Sequence, residues 1–205
     1  MQQSPSTIPA LRKSISTLLT VSFVLIGSLG CGASLALAQG EPSEAEKMQL
    51  ADYIRQGDRH YAEENYEAAI ASYTQALETF RLHAYAYYQR ANAYRQLENY
   101  EAAVNDYTQA LQLNPNNQFA LQYRGLSLAA MGNREAAIAD YTELIRRNPK
   151  DAKAYHLRGD AYAALNHHKA ALEDYQEALK LYQGARNYRA YSAIQQQIRA
   201  VKQKQ

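Results

Sequence analysis

The sequence predicts an all-α protein built as an array of stacked helix pairs, and three observations lead there. Shifting the chain by thirty-four residues aligns Gly57, Ala91, Gly125 and Gly159, then Ala69, Ala103, Ala137 and Ala171, and then Tyr73, Tyr107, Tyr141 and Tyr175. Within each copy, small and aromatic residues recur at spacings of four and three, as in Tyr87, Ala91 and Tyr94, which places them on one helical face. Asn-Pro connections separate the later copies. Four tandem copies at one period mean units that bury their faces against each other, because a single copy has nothing to bury its own against.

Residues 1–38 read as an export signal, with Arg12 and Lys13 as the positive flank and residues 15–29 as the apolar run. Ala36-Leu37-Ala38 is an A-x-A site, placing cleavage between Ala38 and Gln39. Two alternatives compete with this favoured reading. Ser28-Leu29-Gly30-Cys31 resembles a bacterial lipoprotein box, which would lipidate Cys31, and residues 15–38 are just long enough to stay as an uncleaved anchor. All three export the remainder, to a bacterial periplasm or lumen or to a membrane-anchored position outside the cytoplasm. Cys31 is the chain's one cysteine, so the processed protein has no thiol chemistry.

Residues 39–49 form a linker and an N-terminal extension of the first helix. Ser43 with Glu46 three residues on is a capping-box pattern that starts helix near Glu44. The repeats follow at 50–83, 84–117, 118–151 and 152–185. Asn65, Asn99 and Asn133 sit where second helices begin, and Asn is a strong N-cap. Asn114-Pro115 and Asn148-Pro149 stop one helix and admit the next, whereas Arg81-Leu82-His83 lacks the proline and is looser or continuous. Residues 186–205 are a capping helix and tail, with Tyr188, Tyr191, Ile194, Ile198 and Val201 as the dry face.

Arg90, Arg124 and Arg158 share one position of the repeat, and Asp106, Asp140 and Asp174 share another. Where the first copy has Gln56 in place of Arg, it has Ser72 in place of Asp. Residues that appear and vanish together imply partly buried structural ion pairs joining the two helices of each copy.

Composition excludes several classes. The basic excess resides in Arg12 and Lys13; without them 20 basic residues face 20 acidic ones, too balanced for a nucleic-acid surface. There is no phosphate loop, no G-x-S-x-G and no H-E-x-x-H, so no enzyme, cofactor or metal is expected. His167-His168 reads as a polar turn and His60 as a core histidine. Eighteen Tyr against three Phe and no Trp suit half-buried positions with the ring packed and the hydroxyl wet.

The period, the small residues, the second-helix Tyr and the Asn-Pro connections together resemble the tetratricopeptide repeat family over residues 50–185. The resemblance implies an α-solenoid of antiparallel helix pairs, a superhelix whose concave groove, lined by the first helices, binds proteins or peptides. It places Ile54, Asp58 and Tyr61, then Tyr85, Tyr88, Asn92 and Arg95, on the groove floor. Phe119, Gln122, Tyr123 and Leu126 follow, and Lys153, His156 and Asp160 end it. Some members grip a chaperone's C-terminal carboxylate with Lys, Asn and Arg; here Ile54, Asp58, Gln89, Phe119 and Tyr123 stand at those places, so that ligand is not expected. The expected role is a non-enzymatic adaptor or scaffold of the envelope or lumen holding a protein or peptide. It has no nucleic-acid partner, and its repeat domain has no membrane contact unless Cys31 is lipidated or the signal is retained. The alternatives are a self-associating structural module and a lipoprotein assembly factor.

Overall fold

Nine helices follow one another in the computed structural model, which describes residues 42–203. The proposed signal, the Ala38–Gln39 cleavage site and Cys31 lie outside those residues. The helices are α1 (Glu44–Ala62), α2 (Tyr66–Thr79), α3 (Ala84–Gln96), α4 (Tyr100–Leu113), α5 (Gln118–Ala130), α6 (Arg134–Arg147), α7 (Ala152–Ala164), α8 (His168–Gly184) and α9 (Tyr188–Lys202). They pack in consecutive antiparallel pairs, α1 with α2 through α7 with α8, and each pair packs on the next. The described residues form an all-helical α-solenoid.

Local chemistry sets each boundary. Ser43 and Glu46 form the reciprocal capping box at the start of α1. Asn65, Asn99 and Asn133 each accept a hydrogen bond from the backbone N–H three residues on. The connection at 80–83 breaks the helix without a proline, because His83 Nδ1 caps α3 by accepting from Ala86 N at 3.1 Å. Burial lowers the His83 pKa, which keeps the ring neutral and able to accept.

The turns inside the pairs carry a feature that sequence reasoning missed. Glu64, Glu98, Gly132 and Asn166 are left-handed, with φ between 58° and 85°. The next residue's N–H reaches back to the carbonyl five residues earlier, as Asn65 does to His60 at 2.9 Å. This is a Schellman ending. Only Gly132 and Asn166 are residues that favour such a φ, so only two turns were visible in composition. The same turn recurs at Arg186, with φ 56°, and Asn187 then caps α9. The capping helix therefore starts at Tyr188 rather than Arg186. Its dry face rests on Ile194 and Val201, packed against Ala171, Tyr175 and Ala178, while Tyr188 stands 65% exposed.

The core is a column of second-helix tyrosines. Tyr73, Tyr107, Tyr141 and Tyr175 are at most 2% exposed. Each ring lies on the small residue of its first helix, so closely that a Cβ on Gly125 would sit 2.6 Å from Tyr141 Cε1. Repeat two has Ala91 at this place and still buries Tyr107 fully, so one methyl can be absorbed by a small ring shift. Gly125→Ala should therefore change stability little. Gly125→Val should cost about 2–3 kcal/mol through overpacking, read as a lower denaturation midpoint.

Candidate functional site

Contacts between successive repeats run along the first helices and define one wall. Tyr85 Oη on α3 donates to Asp58 on α1 at 3.0 Å, and Gln96 Nε2 donates to Tyr61 Oη at 3.3 Å. Arg95 at the end of α3 lies over the Tyr123 ring of α5, 4.9 Å from its centroid. Tyr123 in turn stacks on Tyr107 at 6.3 Å, and Tyr88 meets the Tyr107 ring at a tilt, 6.1 Å between centroids. Phe119, one turn before Tyr123 on the same face of α5, is 66% exposed, and Tyr85 is 43% exposed. Gln122 and Leu126 are half-buried along the same helix.

Not every residue placed on this wall from sequence can meet a ligand. Asn92 is 7% exposed, and both its amide oxygen and its amide nitrogen are hydrogen-bonded within the protein. It accepts from Tyr107 Oη at 2.6 Å and donates to Gln89 Oε1 at 2.8 Å. Asn92 is a support for the wall rather than part of its contact surface. Asp58 and Asp160 occupy the same repeat position and accept from Tyr73 and Tyr175, each at 2.7 Å. Burial first, and then the Asp58 carboxylate, raise the Tyr73 phenol; burial and Asp160 raise Tyr175 in the same way. In repeat three the position is Leu126, whose side chain offers Tyr141 no acceptor. The signal for this device was present, a polar residue fifteen positions before each core Tyr in three copies of four.

His156 is also covered. Its Nε2 lies 2.8 Å from Gln197 Oε1 on α9 and 3.5 Å from Asp160 Oδ2, while Gln197 Nε2 donates to Asp160 at 2.9 Å. Burial raises the Asp160 pKa, and the Tyr175 hydrogen bond works against that. The capping helix α9 packs on α8 and reaches His156 and Asp160 of repeat four through Gln197. His60 is not a core residue: its side chain is 34% exposed and 3.7 Å from Glu63.

The charged positions inside repeats two to four form a ladder. Arg90 holds Asp106 through two hydrogen bonds at 2.7 and 2.9 Å, Arg124 holds Asp140 at 2.9 and 2.7 Å, and Arg158 holds Asp174 at 2.8 Å twice. The third guanidinium nitrogen reaches back to a threonine of the preceding repeat, Thr74, Thr108 or Thr142, at 3.0 to 3.2 Å. Each arginine therefore ties its own pair together and also ties that pair to its neighbour. Among the described residues, no three His, Cys, Asp or Glu side chains gather as a metal site. His167 caps α8 without a side-chain hydrogen bond.

Two family models, both described as tetratricopeptide repeat, match residues 84–117 and 124–192, together about half of the chain. No curated protein matches in sequence. Among solved structures, a crystal structure of MamA is 22% identical with a TM-score of 0.65, covering 76% of this chain and 87% of that one. MamA from Desulfovibrio magneticus is 19% identical with a TM-score of 0.63, over 77% and 97% of the two chains. The second such domain of human RPAP3, solved with the HSP70 peptide SGPTIEEVD, is 27% identical with a TM-score of 0.54, over 57% and 97%.

Proposed function

We propose that this chain, which belongs to the tetratricopeptide repeat family, is a non-enzymatic adaptor that holds an extended segment of a partner protein against its tyrosine-lined wall. The observation that carries the reading is the exposed pair Phe119 and Tyr85 beside half-buried Tyr61, Tyr88 and Tyr123. Exposed aromatic rings next to an arginine have the composition of a binding hot spot. The peptide held by the RPAP3 domain supports a peptide as the class of ligand. A chaperone-type C-terminal carboxylate is a poor candidate, because Asp58 puts an anion where such a ligand would need a cation. The export signal read in residues 1–38 supports a place in the cell envelope or lumen. N-terminal analysis of the exported protein tests it: Gln39 supports cleavage, and lipidated Cys31 supports the lipoprotein form.

Phe119→Ala combined with Tyr85→Ala is the test of the wall. Neither ring belongs to the buried core, so helicity by circular dichroism should be unchanged. Affinity capture from the native organism with wild-type bait, read by mass spectrometry, should yield a partner, and the double variant should bind that partner at least about tenfold more weakly. Equal binding by both proteins would move the site off this face.

A further inference from the structure

Arg95 is a half-buried charge on this wall with no carboxylate among the described residues to answer it. Arg90, Arg124, Arg147 and Arg158 are half-buried and each meets a carboxylate of its own chain. Arg95 is also half-buried, yet among the described residues no carboxylate lies within ion-pair distance of it, and its buried Nε has no hydrogen-bond partner. Its surroundings are phenols. The guanidinium rests on Tyr123 and interacts with the Tyr107 hydroxyl, and its charge works against the burial that raises Tyr107, Tyr88 and Tyr66. Neither a ring face nor a neutral phenol carries an opposite charge, so a partly desolvated guanidinium held only by phenols favours an ionised acceptor.

Position along the stack narrows the ligand. Asp58 in repeat one and Asp160 in repeat four are carboxylates already supplied with donors, and either would repel a second anion. Arg95 lies between them in order, over the Tyr123 ring, and exposed Phe119 lies one turn before Tyr123 on α5. We propose that Arg95 is a specificity subsite for an internal Asp or Glu side chain of the partner segment, with an adjacent apolar side chain of that segment on Phe119. The carboxylate is a side chain rather than a chain end, because the residues at the end-gripping positions are Ile54, Asp58, Gln89, Phe119 and Tyr123. This inference rests on the groove reading above and adds the chemistry of the partner to it.

Selection of random dodecapeptides with amidated C-termini on the full chain tests it, run in parallel on wild type, Arg95→Gln, Arg95→Lys and the Phe119→Ala/Tyr85→Ala double variant. Wild type should enrich peptides with Asp or Glu next to an apolar residue. A representative peptide should bind Arg95→Gln about 10- to 100-fold more weakly, with Arg95→Lys in between, since lysine keeps the charge and loses the forked geometry. Circular dichroism of each variant at the selection temperature shows that the fold persists. Wall-dependent peptides with no acidic preference, or an acidic preference that survives in Arg95→Gln, overturn the subsite and leave the groove reading standing. Absence of any peptide whose capture depends on Phe119 and Tyr85 overturns both.

Discussion

Above pH 10 the repeat domain is expected to lose its helices over a narrow interval rather than titrate gradually. Burial raises the phenols of Tyr73, Tyr107, Tyr141 and Tyr175 above the ordinary value of 10, and the Asp58 and Asp160 carboxylates raise Tyr73 and Tyr175 further. Their contribution is fully present below the unfolded pKa. Above it the unfolded chain releases these protons while the folded chain holds them, so stability falls by about 1.4 kcal/mol per phenol per pH unit. Four phenols together remove about 5 kcal/mol per unit, and an ordinary domain has about 5–15 kcal/mol in total. Phenolate absorbance and far-ultraviolet circular dichroism, followed together, should show a late fraction of tyrosines ionising only as helix is lost. Ionisation of all 18 tyrosines in one broad step with the helices intact would contradict this. Tyr141→Phe should flatten the slope by about a quarter with little effect at neutral pH, because Leu126 gives that hydroxyl no acceptor.

Asp140→Ala should break one rung of the charge ladder and lower stability by about 3 kcal/mol. Asp140 is 7% exposed at its side chain, and Arg124 would lose both hydrogen bonds, at 2.7 and 2.9 Å, while staying 23% exposed. Most of the loss comes from a cation left without its anion, so adding Arg124→Gln should recover part of it. Repeat one carries the uncharged arrangement already, with Gln56 and Ser72, and Ser72 turns its hydroxyl to the Ala68 carbonyl at 3.0 Å. Thermal melts of the single and double variants decide the matter: a double variant no more stable than Asp140→Ala would rule out charge as the cause. Because Arg124 also binds Thr108 at 3.2 Å, hydrogen exchange in α4 should quicken in the single variant.

The sequence alone determined the contacts that repeat. The Tyr on a small residue and the Asn cap recur at constant separations inside one copy, so each appears as a column when the chain is shifted by thirty-four. The turn conformation recurs as well, but Glu64 and Glu98 conceal it, because neighbouring hydrogen bonds impose a left-handed φ that their side chains do not advertise. Tertiary structure decided what happens between copies. Only the stacking of α3 on α5 shows that Arg95 is left on a phenol face. Only the packing of α9 shows that His156 is covered by Gln197. Such contacts depend on how one helix pair is rotated against the next, and they use residues that differ from copy to copy. Periodicity therefore specifies the scaffold, and the departures from it, brought together by stacking, specify the surface.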